Sequence, residues 1–135
     1  MKKKVVTKKV KKERVPRTRN SHTLTESGFW SFIRSALRQK SRWWKPITET
    51  KIDARRAYKG PNKIQKWEYQ CNECKQWFKD KETIVDHIVE AGELRSGKDL
   101  EAFIERLFCE KDGLCVLCHP CHYIKTQEYM KNKKL

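Results

Sequence analysis

The sequence lacks any long apolar run: nothing in its 135 residues approaches the ~18 consecutive apolar residues of a membrane-spanning helix. Its basic N-terminus lacks the apolar stretch of a secretory signal, so a cytoplasmic protein is expected. There are no internal repeats. Acidic residues are scarce in the first half, where residues 1–20 contain a single Glu.

What is present in that half is positive charge. Residues 1–20 carry +9, residues 21–70 carry +7 and residues 71–135 carry −1, which gives the net +15. An excess of this kind implies a polyanionic partner, with nucleic acid the first choice and a solubilising tail the alternative. Residues 1–22 are read as a disordered basic arm with little to bury.

Residues 23–62 are read as a helical basic region. In "TESGFWSFIRSALRQKSRWW", Phe29, Ile33, Ala36 and Leu37 share a face with Phe32 beside them, and Thr25 or Ser27 can cap the start. Arg34, Arg38, Lys40 and Arg42 fall off that face, making Arg34, Arg38 and Arg42 candidate DNA contacts. Pro46 can open a second helix through "ITETKIDARRAY". Trp43 and Trp44 are expected to pack between the two helices rather than stack on bases.

Residues 63–135 concentrate the six cysteines. "KWEYQ" and "QWF" read as short strands around Cys71-Asn72-Glu73-Cys74, and residues 82–88 as a strand with Asp86 and His87 near its end. "DLEAFIERLF" reads as a helix with Leu100, Phe103, Ile104 and Leu107 inward. "GLCVL" is a second strand, and a last helix starts near Pro120. The fold class is therefore α+β.

In a reducing compartment, Cys-x-x-Cys pairs more often bind metal than form disulfides. Two such turns, Cys71/Cys74 and Cys118/Cys121, complete the four-thiolate tetrahedron of a structural zinc site. A thioredoxin-like redox pair is the rival, but it leaves the second pair unused. Cys109 and Cys115 read as small buried hydrophobes, and His119 as solvent-facing or phosphate-contacting. Neighbours on a regular strand face opposite ways, so Asp86 and His87 can share a site only at the strand's frayed end. There Asp86 can hold a divalent cation while His87 accepts a proton from water, and His122, after the second knuckle, strengthens the pattern.

"CNEC", "VDHIVEAG", "GLCVLCHPCH" and "YIKT" resemble, in order, the zinc-knuckle branch of the HNH endonucleases, over about residues 67–128. Upstream, "FWSFIRSALRQKSRWWKPI" is similar to the N-terminal region of small phage-encoded HNH proteins. The resemblance implies a ββα-metal module stapled by zinc on Cys71, Cys74, Cys118 and Cys121. It makes His87 the general base and Asp86 and His122 ligands of a catalytic Mg2+, Mn2+ or similar ion. Lys125, one turn after His122, would meet a phosphate. The implied activity is hydrolysis of double-stranded DNA, nicking or cutting both strands through two active sites, with phage packaging proteins as partners by analogy. The alternative is a catalytically silent zinc-stabilised nucleic-acid-binding protein. One position departs: Gly113 stands where the family has an Asn that braces the catalytic His, leaving Asp112 or the inserted helix to serve instead.

Overall fold

A computed structural model describes residues 12–134. The expected basic arm therefore lies outside the described residues for its first eleven positions. Its end differs from the expectation: Arg19 and Leu24 pair across a turn, and Arg19 donates to Glu26 at 2.9 and 3.1 Å. Its guanidinium also lies 4.3 Å from the centre of the Phe29 ring, so residues 19–22 belong to the fold.

Helix α1 (Glu26–Ser41) starts where Thr25 accepts from the Gly28 N–H, with Glu26 in the first turn and Arg38 and Lys40 in the last, matching the helix dipole. The buried face is rotated from the expected one. Trp30, Ile33 and Leu37 pack on the core, while Phe32 is 63% exposed and Ala36 is also exposed. The two tryptophans after α1 part company. Trp44 packs edge-on to Phe108 at 5.4 Å and donates to the Cys109 carbonyl at 2.7 Å, as expected of a packing residue. Trp43 does not pack: it is 73% exposed.

Helix α2 (Lys45–Asp53) has Pro46 in its first turn. It ends sooner than the sequence suggests, because "RRA" forms strand β1 (Arg55–Ala57) instead of more helix. Strand β1 pairs antiparallel with β2 (Trp67–Gln70), which pairs with β3 (Trp77–Phe78). The sheet edge of β2 offers a ladder that overrides the helical propensity of three residues.

Strand β4 (Thr83–His87) pairs antiparallel with β5 (Leu114–Cys118), placing Asp86 opposite Cys115 and His87 opposite Leu114. Between them lies an insertion carrying α3 (Leu100–Leu107), and β5 leads directly into α4 (His119–Lys133). The architecture is thus mixed α+β, with four α-helices and two small antiparallel sheets among the described residues. Among them no helix is long and apolar enough to cross a membrane.

Two cores hold it together. Ala91, Leu94, Phe103 and Leu107 of the insertion bury against Trp30, Ile33 and Leu37 of α1. Cys71, Leu117 and Cys118 form the other, flanked by Cys74, Phe78, Cys115 and Cys121. The boundary drawn near residue 62 does not separate two packing units. Strand β1 reaches across it to β2, and α1 reaches across it to α3.

Candidate functional site

The cysteine pairs are aimed by local backbone geometry. Between β2 and β3 the chain folds into a knuckle in which the Cys71 N–H donates to the Gln76 carbonyl and the Lys75 N–H to the Cys71 carbonyl, both at 3.0 Å. Lys75 accepts a left-handed φ of 61° to close it. The Asn72 N–H donates to Val116 at 2.8 Å, tying the knuckle to β5, whose last residue is Cys118. Cys121 follows in the first turn of α4.

All four ligand sulfurs lie within 4.8 Å of one another, and Cys74 and Cys118 are 3.9 Å apart. Sulfurs at ~2.3 Å from a tetrahedral ion are about 3.8 Å apart, whereas a disulfide needs ~2.05 Å. All six cysteines are free. Burial works against the Cys71 thiolate, but backbone N–H groups of Cys118, Cys74 and Glu73 bring the thiol down to about 6. Hydrogen bonding to Cys118, then burial, pushes Cys121 up to about 12, and burial raises Cys118. The crowded sulfurs cannot all ionise unaided; a divalent cation compensates such a cluster. The four cysteines can hold a zinc ion.

Strand β4 delivers the second group. Asp86 is 8% exposed, and its Oδ1 lies 3.7 Å from His122 Nε2. Its Oδ2 accepts from Lys125 Nζ at 2.5 Å, and the same ammonium donates to the His87 carbonyl at 2.5 Å. Lys125, expected to reach for a phosphate, therefore turns inward and holds Asp86 and the end of β4. His87 is the last residue of its strand, and its Nε2 lies 2.8 Å from the Leu107 carbonyl. A carbonyl only accepts, so Nε2 carries the hydrogen and Nδ1 of the neutral ring keeps its lone pair.

Asp86, His87 and His122 line one cleft of about 1110 Å3 together with Arg34, Arg38 and Arg42. The basic side of α1, expected to touch nucleic acid, thus faces the same space as the candidate catalytic groups. Lys51 also lines it, a residue the sequence reading passed over; it is held by Asp80 at 3.1 Å and donates to Thr83 at 2.5 Å. Asp86 and His122 offer two ligands between them. Among the described residues, the cysteines are the one group of three or more His, Cys, Asp or Glu side chains close enough to share an ion. His119 is exposed, with Nε2 2.8 Å from the Lys81 carbonyl. Cys115 and Cys109 are half-buried, as small apolar residues would be.

Gly113 has a physical explanation. A Cβ there would sit 2.9 Å from Cys109 Sγ and 3.1 Å from its Cβ, so Cys109 occupies the space a side chain needs. The brace comes from backbone instead: Leu107 takes the His87 ring, and Gly113 accepts from the Ile88 N–H at 2.9 Å. The inserted helix, not Asp112, supplies the hold on the ring. Gly113→Asn is expected to destabilise the protein by about 1–3 kcal/mol through overpacking, and Cys109→Gly in the same chain to restore much of it. Urea unfolding of the two variants measures this; an equal loss in both would mean that Cys109 is not the obstacle.

In comparisons with known proteins, no family model, curated protein or solved structure matches this chain.

Proposed function

We propose that the chain is a metal-dependent DNA endonuclease of the HNH type, built on a ββα-metal module made of β4, β5 and α4 and stapled by zinc on the four cysteines. One observation carries the reading. The buried Asp86 carboxylate faces His122 across 3.7 Å, in the cleft that also receives His87 and a row of arginines.

Two ligands at that separation suit a Mg2+ or Mn2+ ion that completes its shell with water and substrate phosphate, and such an ion stabilises charge on the phosphate and on the leaving oxygen. The chain's own residues do the rest. The Leu107 carbonyl fixes the His87 ring so that Nδ1 is free to take the proton of an attacking water. Lys125 holds the Asp86 carboxylate by one oxygen and leaves the other toward His122. Arg34, Arg38 and Arg42 attract the phosphodiester backbone. Hydrolysis by this route leaves 5′-phosphate and 3′-hydroxyl ends, one strand per visit.

A second reading has its own support: the Lys125 ammonium already neutralises Asp86, as it would in a silent nucleic-acid-binding protein. Supercoiled plasmid incubated with Mg2+ or Mn2+ separates the two. The expected result is relaxation by the wild type and a loss of 10²–10⁴-fold in rate for His87→Ala, the usual range for a general base. Intact plasmid with both proteins, while both retard it on a gel, selects the silent binder.

A further inference from the structure

The cleft is bounded on one side by packed structure. Helix α1 forms one wall, and its other side is locked by Trp30, Ile33 and Leu37 against the buried Phe103 and Leu107. Arg34 adds hydrogen bonds of 3.3 and 3.4 Å to the Gly92 carbonyl. At the far end Trp44 is pinned to Cys109.

Its charge is one-sided. Arg34, Arg38 and Arg42 follow one another at four-residue intervals, which at 1.5 Å per residue makes a row about 12 Å long. Facing them are Asp86 and Asp80, and the one lysine on that side, Lys51, is tied to Asp80 and Thr83. A duplex brings two phosphate backbones; this cleft has cations for one. A volume of about 1110 Å3 matches a few nucleotides, since ~300–1,000 Å3 already buries a drug-sized molecule.

A second feature points the same way. Trp43, next in the chain to Arg42, is 73% exposed, with Lys40 Nζ 5.1 Å from its ring centre. Proteins that hold unpaired strands combine a basic groove for the backbone with an exposed aromatic face for a base. Bases inside a duplex are stacked on one another and offer no such face.

We infer that the cleft receives a single unpaired nucleic-acid strand, its backbone along Arg34, Arg38 and Arg42 and one base stacked on Trp43. For the cutting step this rests on the endonuclease reading; for binding it stands apart from it. The substrate class is then single-stranded, flapped or locally opened DNA.

The test uses the full zinc-loaded chain carrying His87→Ala, so that nothing is cut. A fluorescein-labelled 20-nucleotide strand and the duplex of the same sequence are titrated by anisotropy, with Trp43→Ala and Arg38→Ala as further variants. The expected result is at least tenfold tighter binding of the single strand. Trp43→Ala should weaken the single strand about tenfold and change the duplex less than twofold, while Arg38→Ala weakens the single strand as well. Tighter duplex binding, or an equal loss for both forms on removing Trp43, overturns the inference. In parallel, wild type with Mn2+ is offered strand, duplex and 5′-flapped duplex. Cutting of all three at equal rates overturns the inference and keeps the endonuclease. Trp43-dependent strand binding with no cutting supports the inference and removes the endonuclease.

Discussion

Replacing Cys118 with serine is expected to unfold the cysteine knuckles and the sheet built on them. Cys118 is 2% exposed and has two structural roles. It ends β5 as part of the second buried core, and its sulfur lies among the other three. A serine hydroxyl is a poor ligand for a borderline-soft ion and stays protonated. Binding of a structural zinc ion is worth about 10–16 kcal/mol at neutral pH, comparable to the ~5–15 kcal/mol that holds a whole domain folded. Losing a ligand therefore removes a large share of what keeps β2, β5 and α4 together. Cys109→Ser makes the contrast. Cys109 is half-buried, and its backbone carbonyl, not its thiol, takes the Trp44 hydrogen bond. It should cost ~1 kcal/mol or less and keep one zinc per chain. Metal content and thermal unfolding of both variants decide the matter: comparable damage from the two would show that the ligand set is misassigned.

The second large effect is expected from Phe103→Ala. Phe103 is fully buried at the centre of α3, where α1 and the insertion meet. Truncating such a ring costs about 3–5 kcal/mol, from lost burial together with the cavity left behind. The consequence should be local and uneven. The sulfur cluster lies in the other core, so zinc content should hold. Helix α3 would loosen, and with it the Leu107 carbonyl that fixes the His87 ring. On the proposed endonuclease reading, cleavage should therefore fall by an order of magnitude or more while zinc stays bound, and near-ultraviolet circular dichroism should report lost packing of Trp30. Full activity in a destabilised variant would mean that the insertion does not brace His87.

Much of the site was legible because its spacings are short. Two residues between cysteines make a turn that converges two sulfurs whatever surrounds it, and both knuckles formed as the sequence implied. The strand through Asp86 and His87, the α3 helix and the start of α4 were legible for the same reason. Their periodicity and flanking turns are local. What was misread depends on partners far along the chain. "RRA" reads as helix until β2 offers it a ladder twelve residues on. The face of α1 was misplaced because its partners, Phe103 and Leu107, lie in an insertion over sixty residues away. Trp43 and Trp44 look alike in sequence, and only the Cys109 carbonyl and the Phe108 ring distinguish them.

By itself, the sequence determined the ligand spacings, the α+β class and the asymmetry of charge, because each arises within a few residues or from simple counting. Only the tertiary structure decided that the basic side of α1 faces Asp86, His87 and His122, that a carbonyl from α3 selects the proton-accepting nitrogen of His87, and that Lys125 points inward. Those relations join elements twenty to almost ninety residues apart. They are set by how two small cores pack, which no local pattern encodes.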